Sequence, residues 1–192
     1  MKIDLTYQLT KEKMDSWTTS MNAKDKGLMS IGHMGTHFDT MNKEFTLDLT
    51  ELNGIVFDVS KNSERDIEIS DIEIEKISAG DFILLYTGTI EKFEYYSQDY
   101  SEKFPQLSWD LIKLLVEKKV KIIGVDTRGL RKDSEHPTAD KFCADNGTFV
   151  IENLVNLGKL FQESAGKKIT IHTYPLNMKN FTGIPSRVIA EF

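Results

Sequence analysis

His33, His37 and Asp39 fall inside one seven-residue segment, HMGTHFD, of a chain that has only four histidines. Neutral imidazole and carboxylate groups together bind divalent cations such as zinc, manganese or iron. Such a cation, with an open coordination position, activates water and polarises a carbonyl oxygen. Gly35 and Thr36 stand between the two histidines. A glycine there lets the backbone turn sharply, so that the flanking side chains converge. In extended backbone, positions 33, 35, 37 and 39 share one face. A helix would instead swing Asp39 away from His37. The segment is therefore expected as a strand, or a strand running into a turn.

The elements around it must hold these side chains in place. Ile3–Tyr7 alternates apolar and polar residues and predicts an early strand. Residues 8–30 are polar and irregular, with Trp17 as the one large apolar group, either a packing anchor or a pocket wall. Ile55–Val59 predicts a strand, and Ser70–Glu73 has the form of a capping box opening a short helix that stops near Gly80. Phe82–Tyr86 (FILLY) is a continuous apolar strand covered on both faces. Residues 91–103, aromatic and charged, read as a loose helix or loop. Ser108 caps a helix with an apolar face through Leu111, Ile112 and Leu115. Ile122–Val125 is the next strand, ending at Asp126. Pro137 suits the first turn of another short helix and Gly147 its end. Phe149–Ile151, Ile169–Tyr174 and Arg187–Ala190 complete the strands. The pattern is one mixed α/β domain, residues 1–192, with more strand than helix.

Composition narrows the function classes. The chain has 192 residues, 40% hydrophobic and 28% charged, and 24 Lys+Arg against 30 Asp+Glu give a net charge of -6. That balance, without a clustered basic footprint, argues against nucleic acid or an anionic membrane as partner and leaves a small-molecule substrate. The single cysteine, Cys143, excludes an internal disulfide and reads as a buried helix residue. No apolar run approaches the ~20 residues of a membrane span. The segment MKIDLTYQLT has no apolar leader core, so a cytoplasmic location is expected.

Several segments together resemble the cyclase family of metal-dependent hydrolases, which includes bacterial kynurenine formamidase (an arylformamidase) and isatin hydrolase. The family signature H-x-G-T-H-x-D-x-P-x-H is matched by His33, Gly35, Thr36, His37 and Asp39. The likeness continues in GDFILLYTG (80–88), FPQLSWD (104–110), GVDT (124–127), VIENL (150–154) and YPLNMKNFTGIPSRVIA (174–190). The resemblance implies a swivelling β/β/α fold: a single α/β domain with a mixed sheet core and short helices. It also implies a homodimer or homotetramer, one or two divalent metals (zinc or manganese), and hydrolysis of a small amide or lactam. His33, His37 and Asp39 would be metal ligands, with Glu152 as a further one.

Two departures bear on catalysis. The signature's Pro and last His fall at Met41 and Lys43. A later family His, upstream of Glu152, falls at Ala139. The usual acid/base His is therefore replaced by Lys43, with Glu44 beside it, and these two are the candidate catalytic groups. A second possibility is a catalytically degenerate relative that binds a metal or small ligand without turnover.

Other candidates carry less chemistry. Arg128 could hold a substrate carboxylate or pair with Asp133, and Trp17 could touch substrate. Asp126 closes a strand, where functional carboxylates occur, or caps the following turn. Thr87 and Gly88 are expected in a pocket wall. His136, three residues before Ala139, could reach the site by a small shift but reads rather as a solvent-facing loop histidine beside Pro137, His172 as a strand histidine that is not a ligand, and Arg187 as half of a structural ion pair.

Overall fold

Phe82–Tyr86 and Ile122–Val125 are apolar on both strand faces, so each needs cover from two sides. A computed structural model, which describes residues 1–10, 12–14, 32–41, 43–62 and 65–192, shows how they obtain it. Among the described residues the strands are β1 (Lys2–Asp4), β2 (His37–Asp39), β3 (Glu51–Asp58), β4 (Phe82–Tyr86), β5 (Ile122–Val125), β6 (Phe149–Glu152), β7 (Ile169–Pro175) and β8 (Gly183–Glu191). They form one sheet in the order β1-β8-β2-β6-β5-β4-β3-β7, and β7 also pairs with β8. That last pairing closes the sheet into a seven-stranded mixed barrel, with β1 lying beside β8 beyond the end of β2. Strands β3 to β6 run parallel, and β2, β7 and β8 supply the antiparallel arc.

Short helices cover the outside: α1 (Thr89–Lys92), α2 (Gln98–Glu102), α3 (Trp109–Glu117), α4 (His136–Asp145) and α5 (Leu157–Glu163). Alternation along the strands sorts the core into two parts. Phe82, Leu84, Ile122 and Ile151 face inward with Phe38, Ile171 and Val188 and fill the barrel. Ile83, Leu85, Ile123, Val125 and Val150 face outward, where Leu111, Ile112 and Leu115 of α3 and Ala139 and Cys143 of α4 bury them. Burial pushes the Cys143 thiol up to about 12, as expected of an inert core cysteine. No helix among the described residues is long and apolar enough to cross a membrane.

Most elements fall where the sequence predicts them, including β4 and β5 residue for residue. The Ser108 hydroxyl caps α3 by accepting from Leu111 N at 3.2 Å. The helix expected from Ser70 does not form. Two 3-10 turns, Ile69–Asp71 and Ile74–Lys76, stand there instead. The reciprocal cap is set two residues earlier, because Asp71 accepts from Glu68 N at 2.7 Å and is also gripped by Arg65. Helix α5 was not anticipated, since its first flanking residue, Asn156, has a left-handed φ of 62° and no side-chain cap.

A candidate metal centre

The parallel strands end on one side of the sheet, and the site forms there. Phe38 points into the barrel, so its neighbours His37 and Asp39 face the other way, towards α4. On the adjacent strand Ile151 points inward and Glu152 outward by the same rule. The β2–β6 register pairs His37 directly with Glu152. Cross-strand partners on one face hold their Cβ atoms about 5 Å apart. His37 Nε2 consequently lies 3.3 Å from Glu152 Oε2.

His33 reaches the same point from a turn preceding β2. Gly35, with φ of +64°, provides the reversal. The His33 ring then lies directly over the backbone of Gly183, where an added Cβ would sit 2.7 Å from the ring's Cε1. Its Nε2 is 2.9 Å from the Thr182 hydroxyl, and this contact turns Nδ1 inward. His33 Nδ1 lies 3.2 Å from His37 Nε2 and 3.1 Å from Asp39 Oδ1, and His37 Nε2 is 3.4 Å from the same oxygen.

These spacings fit a cation. Four ligands at ~2.0–2.1 Å around a tetrahedral ion stand ~3.3–3.4 Å from one another. The tautomer fits as well. His37 Nδ1 lies 2.9 Å from the carbonyl of Gly35, which can only accept, so Nδ1 carries the proton and Nε2 presents a lone pair. Asn153 donates to the same carbonyl at 2.9 Å and fixes it. Two buried carboxylate oxygens, Asp39 Oδ2 and Asp140 Oδ1, make no hydrogen bond to a described residue. Buried carboxylates left without compensating charge are costly, and a divalent cation is the group that would satisfy them.

The structure brings in a second set that the sequence reading missed. His136 is not a solvent-facing loop residue: it opens α4 and lines the site. Its Nε2 is 2.9 Å from Glu152 Oε1 and 3.1 Å from Asp140 Oδ2. His136, Asp140 and Glu152 therefore form a second group of converging ligand atoms, sharing Glu152 with the first group's surroundings. Ala139, where the resemblance placed a ligand, is fully buried in the core beneath α4, and it is the next residue, Asp140, that faces Glu152. The signal was present: Pro137 marks a helix start, and His136 and Asp140 are then i and i+4 on one face.

The protonation pattern shows a centre that is short of positive charge. Burial alone would lower the His37 pKa, but the charges of Asp39 and Glu152 overturn that and raise it to about 9. Burial also opposes the charge on His136, yet Glu152 and Asp140 lift it to about 11. Burial would raise Asp39, but His37 and His33 hold it well below the usual carboxylate range. Burial raises Asp140 to about 7 and raises Glu152 as well, the latter aided by Asp39.

A cavity of about 310 Å³ opens onto this centre. His33, His37, His136 and Glu152 form part of its lining, Tyr96, Tyr100 and Asn153 another part, and Ser101 and Arg128 the remainder. Asn153, in a left-handed conformation with φ of 58°, accepts a short hydrogen bond from the Tyr100 hydroxyl. Gly35 N donates to the Tyr95 hydroxyl at 2.8 Å, so the tyrosine cluster also braces the metal-side turn. The sequence reading had placed these tyrosines only in a loose segment.

The remaining candidates take up definite places. Lys43 Nζ pairs with Asp145 at 2.7 Å, with their side chains 45% and 40% exposed. Glu44 approaches Lys179 at 3.5 Å on the surface. Neither lines the cavity. Asp126 accepts from Thr87 N, Thr87 Oγ1 and Gly88 N, at 3.0, 2.6 and 2.7 Å, and ties the exits of β4 and β5 together. Burial pushes it up to about 6 against those donors. Thr87 and Gly88 serve this link and are not in the cavity lining. His172 pairs with Glu191 at 3.1 Å on β7, and Arg187 grips Asp4 through two hydrogen bonds. Trp17 lies outside the described residues.

Comparison with known proteins agrees with this fold. The family model described as "Putative cyclase" (Cyclase) matches residues 3–131, well over half of the chain and including His33, His37 and Asp39. Uncharacterized protein MJ0783 of Methanocaldococcus jannaschii is 30% identical over 126 residues, a match covering 65% of this chain and 61% of that protein. Isatin hydrolase A from Labrenzia aggregata, solved with benzyl benzoate, superposes with a TM-score of 0.69 at 22% identity, covering 83% of this chain and 73% of the other. A structure described as a potential metal-dependent hydrolase with cyclase activity gives a TM-score of 0.70 at 21% identity, over 99% and 96% of the two chains. By fold, by its HMGTHFD segment and by the extent of the family match, the chain belongs to the cyclase family.

Proposed function

We propose that this chain is a metal-dependent hydrolase that opens the C–N bond of a small amide or lactam, in the manner of an arylformamidase. The observation that carries this reading is the convergence of His33 Nδ1, His37 Nε2 and Asp39 Oδ1 at spacings suited to one cation, beside a cavity, with Glu152 next to His37. Zinc or manganese suits this nitrogen and oxygen donor set. When bound, the cation supplies Lewis acidity that activates water and polarises the substrate carbonyl.

The protein's own groups do the rest. Tyr100, locked to Asn153, forms a rigid wall that orients the substrate. Asp39 and Glu152 keep the centre's charge balanced during turnover. His136 is the proton carrier: the proton that Nε2 shares with Glu152 and Asp140 is the one delivered to the departing nitrogen. This assignment replaces the family histidine that is absent at Lys43.

Metal analysis and a rate assay test the reading. The purified protein is expected to hold zinc or manganese and to hydrolyse isatin or formanilides well above a His37→Ala control. Equal rates across a broad amide and ester panel would refute it.

A second reading, binding without turnover, is favoured by the occupation of Lys43 in a surface ion pair. Changing Lys43 and Asp140 together to histidine separates the two, since activity appearing only then means that the native chain has lost catalysis. Assembly as a homodimer or homotetramer belongs to this proposal through the family resemblance, and light scattering checks it.

A further inference from the structure

Arg128 and Arg131 sit three residues apart on the loop after β5, yet their surroundings are opposite. Arg131 is saturated. It donates to Asp66 at 2.6 Å, to Glu135 at 3.0 and 2.6 Å, and to the carbonyl of Leu107 at 2.9 Å. Arg128 makes no hydrogen bond or ion pair with any described residue, Asp133, the partner offered by the sequence, included. Arg128 lines the cavity and is the one Lys or Arg among the described residues of that lining.

The loop presents Arg128 firmly. Thr127 on one side is buried, with its hydroxyl donating to the carbonyl of Gly129 at 2.8 Å and its own carbonyl accepting from Asn153 N at 3.0 Å. Leu130 on the other side is buried and accepts from Leu107 N. The backbone is anchored at both flanks of Arg128, which belongs to the exposed part of the cavity lining, while Glu152 and His37 belong to its buried part.

The metal-side groups hold the reacting end of a ligand, and Arg128, lining the same cavity without a partner among the described residues, is the cationic side chain free to take the other end. A guanidinium offers paired donors that match a carboxylate in a fork. We infer that Arg128 is a specificity-determining residue that takes the carboxylate of an anionic aryl or acyl amide, leaving the scissile carbonyl to the centre beneath. This rests on the hydrolase reading of the site and narrows its substrate class to amides that carry a carboxylate away from the bond broken.

The test pairs two measurements on the zinc- or manganese-loaded full chain. Hydrolysis of 2-formamidobenzoate is compared with that of its neutral isostere 2-formamidobenzamide. Calorimetric binding of 2-aminobenzoate is compared with that of 2-aminobenzamide, which needs no turnover. The wild type should favour the carboxylate in both, and Arg128→Gln should lower that preference by roughly tenfold to a hundredfold through KM, with Arg128→Lys recovering part of it. Unchanged thermal unfolding of the variants would show that the loss is local. If the chain hydrolyses neither amide yet binds 2-aminobenzoate through Arg128, the hydrolase reading and the amide substrate class fail, and the carboxylate contact at Arg128 alone stands. If it hydrolyses both and Arg128→Gln leaves the preference intact, this inference fails and the hydrolase reading stands. Displacement of 2-aminobenzoate by an equal concentration of inorganic phosphate would also overturn it, since the subsite would then be an unselective anion hole.

Discussion

His37 and Glu152 are direct partners across the β2–β6 ladder, with His37 Nε2 3.3 Å from Glu152 Oε2 although 115 residues separate them. This register joins the local HMGTHFD segment to the far end of the chain. A slip of one residue would turn Glu152 into the barrel and Ile151 into the site. The barrel core therefore enforces the ligand geometry, because Phe38 and Ile151 must both stay inside.

The charge state of the centre makes stability depend on pH. In the metal-free protein His37 is raised to about 9 and Asp140 to about 7, and Glu152 is also raised. Each of these groups binds its proton more tightly when folded, so stability is present at low pH and is lost as pH rises through the folded values. Asp39 acts in the opposite sense, but only in strong acid, below its ordinary range. The melting temperature of chelated protein should therefore fall from about pH 4 upward, through the raised values of Asp140, His37 and, at about 11, His136. Zinc or manganese should remove most of that fall. A flat or rising profile in scanning calorimetry would contradict the protonation pattern.

Gly183→Ala should displace His33. The new methyl would stand 2.7 Å from the ring, against backbone that the β2–β8 pairing fixes. Metal affinity is expected to drop by about 10- to 100-fold, as for other changes that misorient a ligand. Competition with a chromogenic chelator measures it, and unchanged affinity would mean that His33 is not a ligand.

Asn153→Ala removes the donor to the Gly35 carbonyl and the acceptor of the Tyr100 hydroxyl, and leaves alanine at φ of 58°. Leaving buried polar partners unsatisfied costs about 1–3 kcal/mol. The strained backbone adds to this. Urea unfolding should show a loss of at least that size, and a neutral result would show that the hydrogen bonds are replaced by water.

Lys43→Ala breaks a half-exposed pair with Asp145. Solvent screens such exposed pairs, and they contribute little to stability. Stability, metal content and turnover should all stay close to wild type. A fall in turnover of tenfold or more would return Lys43 to the catalytic role suggested by its alignment with the family histidine.

Much of this was legible in the sequence because local pattern decided it. FILLY and IIGV are short, wholly apolar and bounded by turn residues, and both became strands as read. The convergence of His33, His37 and Asp39 was legible because a glycine-spaced segment of seven residues carries its own geometry. His136 was misread because its role depends on α4 packing against β6, which no local pattern reports. Asp140 was overlooked for a related reason: helical phase decides whether residue 139 or residue 140 faces the site, and phase is set by burying Ala139 and Cys143 against the sheet. The failed helix at Ser70 shows a local signal outweighed by a neighbour, since Arg65 and Glu68 captured Asp71 first.

Diffraction from crystals soaked in manganese or zinc, with anomalous data collected at both absorption edges, tests the metal centre most directly. A single strong peak within about 2.0–2.2 Å of His33 Nδ1, His37 Nε2 and a carboxylate oxygen of Asp39 is the expected result. No peak there, with the three side chains turned away from one another, would contradict it.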